Sequence, residues 1–104
     1  MKEGISKGLN NMIITSIDVK NVFLSVIQRH KSFEEAHDWA AAIIAKDELG
    51  EVEVLPIKDV RKVFCGLTYL LGLDLLDPDS GGYFHSIENV IDEFHELFDQ
   101  KERT

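Results

Sequence analysis

The side chains best suited to chemistry in this chain are carboxylates, and they are concentrated late in the sequence. Between Val63 and Gln100 there are eight Asp and Glu residues and no Lys or Arg. One segment, Asp77-Pro78-Asp79-Ser80-Gly81-Gly82-Tyr83-Phe84-His85-Ser86-Ile87-Glu88, has the length of a calcium-binding helix–loop–helix. Acids stand at loop positions 1 and 3, Gly at 6, an apolar residue at 8 and Glu at 12, where calcium needs hard oxygen donors and a sharp turn. Position 5, however, is Gly81, so one ligand is lost, and Pro78 stiffens the entry. Asn89 also stands where an apolar residue is expected, and there is no partner hand. A Gly-rich turn between two helices explains the same residues.

A second set of acids follows at helical spacing. Glu88, Asp92, Glu96 and Asp99 form one stripe, with Glu93 beside it. Like charges at i, i+4 oppose each other by about 0.2–0.5 kcal/mol per pair. Glu96 and Asp99 also approach the negative end of the helix dipole. Such a stripe works against the helix that carries it, so it reads either as a solvated face or as an electrostatic face for a cationic partner. Other chemistry is poorly provided for. His30 and His37 are seven apart, and His85 and His95 are ten apart, which is not ligand spacing; with one cysteine there is no zinc set. Cys65 lies in the run Val63-Phe64-Cys65-Gly66-Leu67 and is expected to be a buried, inert thiol. The nucleophile-elbow and phosphate-loop patterns do not occur. No catalytic residue, metal site or cofactor is therefore assigned, and the chain is read as a non-enzyme.

Length and composition agree with a binding role. The 104 residues suffice for one domain, and 44% hydrophobic with 29% charged residues is globular composition. The net charge of −8 argues against nucleic acid and against anionic membrane surfaces as partners. It is unevenly placed: residues 1–46 carry six basic and five acidic side chains, residues 47–104 five and fourteen. The single cysteine and the lack of any apolar stretch approaching the roughly 18 residues of a membrane span predict a cytoplasmic protein.

Amphipathic helices must position these groups. Residues 1–11 are expected to be a flexible leader and 12–104 a single helical domain. Asp18 is a plausible N-cap for a helix to about Arg29, with Val19, Val22, Phe23, Val26 and Ile27 on its inner face. A capping box, Ser32-Phe33-Glu34-Glu35, opens the second helix, whose stripe is Phe33, Ala36, Ala40, Ile43 and Ile44, flanked by Trp39 and fading near Lys46. Glu51-Val52-Glu53-Val54-Leu55 alternates like a strand but lacks a comparable partner, so an extended linker is expected. Pro56 fits the first turn of a third, most apolar helix through Ile57, Val60, Val63, Phe64, Leu67, Leu70 and Leu71. There Gly66 would permit a close contact and Gly72 would cap the end. Ser86 caps the last helix, with Ile87, Val90, Ile91, Phe94, Leu97 and Phe98 inside. The expected fold is all-α, a small bundle of about four helices.

Three segments, Ser32-Phe33-Glu34-Glu35-Ala36-His37-Asp38-Trp39-Ala40, Leu67-Thr68-Tyr69-Leu70-Leu71-Gly72-Leu73-Asp74-Leu75 and Gly82-Tyr83-Phe84-His85-Ser86-Ile87-Glu88, resemble small bacterial immunity proteins of polymorphic-toxin and contact-dependent growth inhibition systems. Such families show an S-x-E-E-x-x-x-W-A opening, an L-x-x-L-x-G-x-D central helix and a G-x-Y-L-H turn before an acidic last helix. Here Phe84 replaces the Leu. The resemblance implies a cytoplasmic inhibitor of one cognate toxin, expected to be a nuclease with a basic cleft. The expected partner-binding residues are Asp74, Asp77, Asp79, Tyr83 and His85 of the loop, with Glu88, Asp92, Glu93, Glu96 and Asp99 of the last helix. Alternatives are a helical adaptor or regulator binding a basic protein, and a calcium-binding module.

Overall fold

The computed structural model describes residues 11–99. Met12–Ile14 form strand β1, Ser16–Ile27 helix α1, Phe33–Glu48 α2 and Val52–Val54 β2. A 3-10 turn over Ile57–Asp59 then leads into α3, Val60–Leu71, and Ile87–Phe98 form α4. The chain is thus mostly helical, with a two-stranded parallel sheet pairing Met12 with Val52 and Ile14 with Val54.

That sheet corrects the expectation of an all-α fold with an extended linker at 51–55. The partner strand is only three residues long and lies beside the expected leader, so no period announced it. Ile14 and Val54 turn inward and are buried, while Ile13 and Glu53 turn outward. Of the leader assigned to 1–11, residues 1–10 lie outside the described residues, as do 100–104 of the assigned domain.

Local chemistry accounts for the helix starts. Thr15, not Asp18, is the N-cap of α1: its Oγ1 accepts from the Asp18 N–H, and the Asp18 carboxylate accepts from the Thr15 N–H at 2.9 Å. Asp18 is the far member of a capping box. Ser32 and Glu35 form the expected box at α2, with bonds of 3.0 and 2.8 Å. Ser86 caps α4 with Asn89 as its reciprocal partner. Pro56 does not open α3; it precedes the 3-10 turn, leaving Ile57 74% exposed outside the helix. Gly72 does follow Leu71 as the C-cap of α3.

The core runs through all four helices. α1 gives Val19, Val22, Phe23 and Val26; α2 gives Ala36, Ala40 and Ile43; α3 gives Val63, Leu67 and Leu70; Leu73, Val90 of α4, and Ile14 and Val54 of the sheet complete it. Helix α2 packs on α3, and α1 packs on both α3 and α4. Phe33, Trp39, Ile44, Phe64 and Phe94 are partly buried against this core. Cys65 is exposed, contrary to expectation. Its neighbours Val63, Gly66, Leu67 and Leu70 occupy the inner face, and the helical period sends Cys65 and Thr68 outward.

Gly66 lies where three helices meet. A Cβ there would stand 2.6 Å from Val19 Cγ1, 3.5 Å from Phe23 Cε1 and 3.6 Å from Leu97 Cδ1. Glycine inside a helix ordinarily lowers stability by about 1 kcal/mol relative to alanine, so Gly66→Ala would stabilise an isolated helix. Here overpacking against Val19 reverses the sign. Gly66→Ala is expected to destabilise the protein by about 1–3 kcal/mol, measured as a lower midpoint in urea denaturation. An unchanged or higher midpoint would show that α1 and α3 can separate without penalty.

Candidate functional site

The loop between α3 and α4 is an ordered hairpin. Leu76 and Tyr83 form an antiparallel bridge, and the Phe84 N–H donates to the Leu75 carbonyl at 2.9 Å. At its tip the Asp77 N–H donates to Gly82 O at 2.7 Å and the Gly81 N–H to Asp77 O at 2.8 Å. Gly81 adopts φ 81°, a left-handed conformation that glycine accepts without strain. The Asp77 carboxylate serves the turn as well, since Oδ1 accepts from the Asp79 N–H at 3.0 Å and Oδ2 from Ser80 Oγ at 3.3 Å. Among the described residues no group of three or more His, Cys, Asp or Glu side chains is placed to hold a metal ion.

Aromatic and polar contacts tie this hairpin to the helices. The Tyr83 hydroxyl donates to the Glu34 carboxylate, and its ring packs on Phe33 at 4.9 Å between centroids. His85 Nδ1 lies 3.4 Å from the Tyr69 hydroxyl, and the two rings are 4.9 Å apart. Asp74 Oδ1 is 3.4 Å from His37 Nδ1, which also lies 3.0 Å from the Leu71 carbonyl oxygen. These partners on α2 and α3 carry no local sequence signal, because they stand 16 to 50 residues from the loop side chains they meet.

The ten residues singled out in the sequence do not all converge. Tyr83, His85 and Glu88 border a cleft of about 690 Å³ that is also lined by Arg29, His30 and Lys31. Asp77 and Asp79 occupy the hairpin tip, and Asp74 stands at its base beside α2. Asp92 and Glu93 approach Tyr69, with Glu93 lining a groove that includes Arg61, Cys65 and Thr68. Glu96 on the last turn of α4 and Asp99, its C-cap, are exposed, and Asp99 Oδ2 is 2.8 Å from His95 Nδ1. The set is an acidic band along α4 and the hairpin, not a single pocket.

Charge is segregated along the sequence, although Arg29 and Lys31 share a cleft with Glu88 and Arg61 shares a groove with Glu93. Every Lys and Arg among the described residues precedes Val63, and none of them makes an ion pair with another described residue. The ion pairs there all use histidine. Sequence reasoning missed the apolar part of the hairpin: Leu75, Leu76 and Phe84 are each more than half exposed. Among the described residues no helix is long and apolar enough to cross a membrane.

The acidic band acts on Tyr69. Burial first, then the Glu93 and Asp92 carboxylates, push its hydroxyl up from 10.0 to about 12. A raised folded-state value means that the stability contributed by this proton is full below pH 10 and is lost as the pH rises through 12. Spectrophotometric titration of the phenolate absorbance is expected to show a late-ionising tyrosine that Tyr69→Phe removes. Glu93→Gln should bring that transition to lower pH; an unmoved transition would show that the Glu93 carboxylate does not reach Tyr69.

No protein-family model matches the chain, nor does any curated protein or solved structure.

Proposed function

We propose that this chain is an immunity protein, an inhibitor that binds a cognate bacterial toxin, a nuclease with a basic cleft, in the cytoplasm. The observation that carries the reading is the exposed carboxylate band of α4 and the hairpin, in a stretch with no Lys or Arg from Val63 to Asp99. Such a surface can take the place of a phosphate backbone in a cationic cleft, and complementary charge accelerates encounter and selects the partner. Tyr83, held by Phe33 and Glu34, supplies an aromatic anchor of the kind that dominates interface energetics. The likeness of the three segments to immunity proteins adds the partner class.

A second reading, a non-enzymatic adaptor, is favoured by one observation. Ile17 on α1 and Val60 on α3 are exposed apolar residues on a different surface from the acidic band.

The test is binding to a purified toxin nuclease domain with a basic cleft. Asp92→Lys combined with Glu96→Lys is expected to slow association by about tenfold to a hundredfold and to flatten its dependence on salt. Stopped-flow association at several ionic strengths measures both, with circular dichroism as the check on folding. Association that keeps the wild-type rate and salt slope would remove the acidic band from the interface.

A further inference from the structure

The hairpin between α3 and α4 exposes apolar side chains that its own turn does not use. Leu75, Leu76 and Phe84 are 56%, 60% and 62% exposed, while the backbone bonds of the tip and the Asp77 carboxylate hold the turn. The register places these side chains. Leu76 and Tyr83 are bridge partners and share one face of the hairpin, on which Tyr83 lays its ring against Phe33 of α2. Leu75 and Phe84, the next pair toward the base, are joined by the bond from the Phe84 N–H to Leu75 O and turn to the opposite face. The Phe84 ring meets the His85 ring edge-on at 5.3 Å, and Leu75 Cδ1 stands 3.7 Å from where a Cβ on Gly72 would be.

The charges of the hairpin itself are all negative: Asp74 precedes Leu75, and Asp77 and Asp79 follow Leu76. None of the three apolar residues lines the cleft that holds Arg29 and Lys31. A surface that covers this crown has to bring apolar atoms to its centre and cations to its rim. An anionic lipid surface meets the acids and is repelled. A second copy of the chain answers no better, because its hairpin repeats the acids and its cations are accompanied. Arg29 and Lys31 share their cleft with Glu34 and Glu88, Arg61 shares a groove with Glu93, and Lys58 adjoins Asp59. A different protein with a cationic rim around an apolar recess meets both requirements.

We infer that Leu75 and Phe84, with Leu76 beside them, seat in an apolar recess inside the cationic cleft of the toxin, a contact that rests on the function proposed above. Rim charges act mainly on the rate of encounter, whereas a desolvated apolar centre acts on the rate of release. The carboxylates of α4 thus govern how fast the complex forms, and the crown of the hairpin governs how long it lasts. The hairpin is set for this before contact. Its bridge, the Tyr83 ring on Phe33, the Tyr83 hydroxyl on Glu34 and Asp74 beside His37 hold the crown in place, so little ordering accompanies binding.

The experiment measures association and dissociation separately, by stopped flow and by chase with excess unlabelled protein, on a purified toxin nuclease domain with a basic cleft. Leu75→Ser and Phe84→Ser should each speed dissociation at least about tenfold and leave the association rate and its salt slope unchanged. Ile57→Ser, at a residue 74% exposed near the opposite end of α3, should change neither rate. Circular dichroism checks the fold of each variant. Dissociation at the wild-type rate in both hairpin variants overturns the inference while the acidic-band reading stands. So does an effect of Ile57→Ser as large as theirs. A wild-type chain that does not bind the domain removes the proposed function and this contact together.

Discussion

The packing of this domain depends on the missing side chain at Gly66. Val19 occupies the space that a Cβ would take, and Phe23 and Leu97 close around the same point. Because α1 can approach α3 there, the Phe23 ring reaches the centre of an aromatic cluster. It lies 5.9 Å from Tyr69, 6.4 Å from Phe94 and 5.6 Å from Phe98. Those contacts join α1, α3 and α4, and α2 closes the other side through Ala36, Ala40 and Ile43. The small side chains of α2 serve the same purpose as Gly66, since they let two helix backbones come close. Anything that widens the α1–α3 crossing therefore reaches the seat of α4 and, with it, the acidic band.

Tyr69 links that core to the surface. Its ring stacks on Phe23 at the inner side, and its hydroxyl meets His85 at the base of the hairpin. The carboxylates of Glu93 and Asp92 are near enough to hold its proton on. The position of α4 relative to α3 is thus set by packing on one side of the ring and felt electrostatically on the other. The hairpin is fastened separately, by Tyr83 to Glu34 and by Asp74 to His37. Together these contacts hold an acidic, partly apolar loop against α2 and α3 with few internal degrees of freedom, which lowers the entropy lost when another surface covers it.

The helices were legible because each carries its own period and cap. Ser32 with Glu35 marked one start to the residue, and Ser86 marked another. Thr15 was missed at α1 because Asp18 is itself a good capping residue; the box pattern of a Thr followed three residues later by an acid was there to be read. The sheet was not legible. Two three-residue strands paired across 40 positions carry no alternation long enough to separate from noise, and their pairing is fixed by the helices between them. Cys65 was misplaced by composition: its apolar neighbours suggested burial, whereas the positions of Val63, Gly66, Leu67 and Leu70 fix the opposite face. At the site, the acids of α4 were found by their spacing. The partners of the hairpin were not, because Glu34, His37 and Tyr69 meet it only through the tertiary fold.

Local rules are kept in the interior and broken at the surface. The buried side chains are all apolar among the described residues, and the N-termini of α1, α2 and α4 are capped reciprocally. The exceptions lie elsewhere. Cations start α3, carboxylates end α4, and Arg29 adopts φ 67° at the end of α1 where glycine would be unstrained. Leucine and phenylalanine crown an exposed hairpin. None of these choices is needed to fold the chain, and the charged ones act against the helices that carry them. A sequence consistent at every other level departs from local stability where another demand acts on the residue. Here the carboxylates of α4 and the apolar crown of the hairpin lie on the surface proposed to meet a partner, so residues that fail to explain the fold are ones that carry the functional argument.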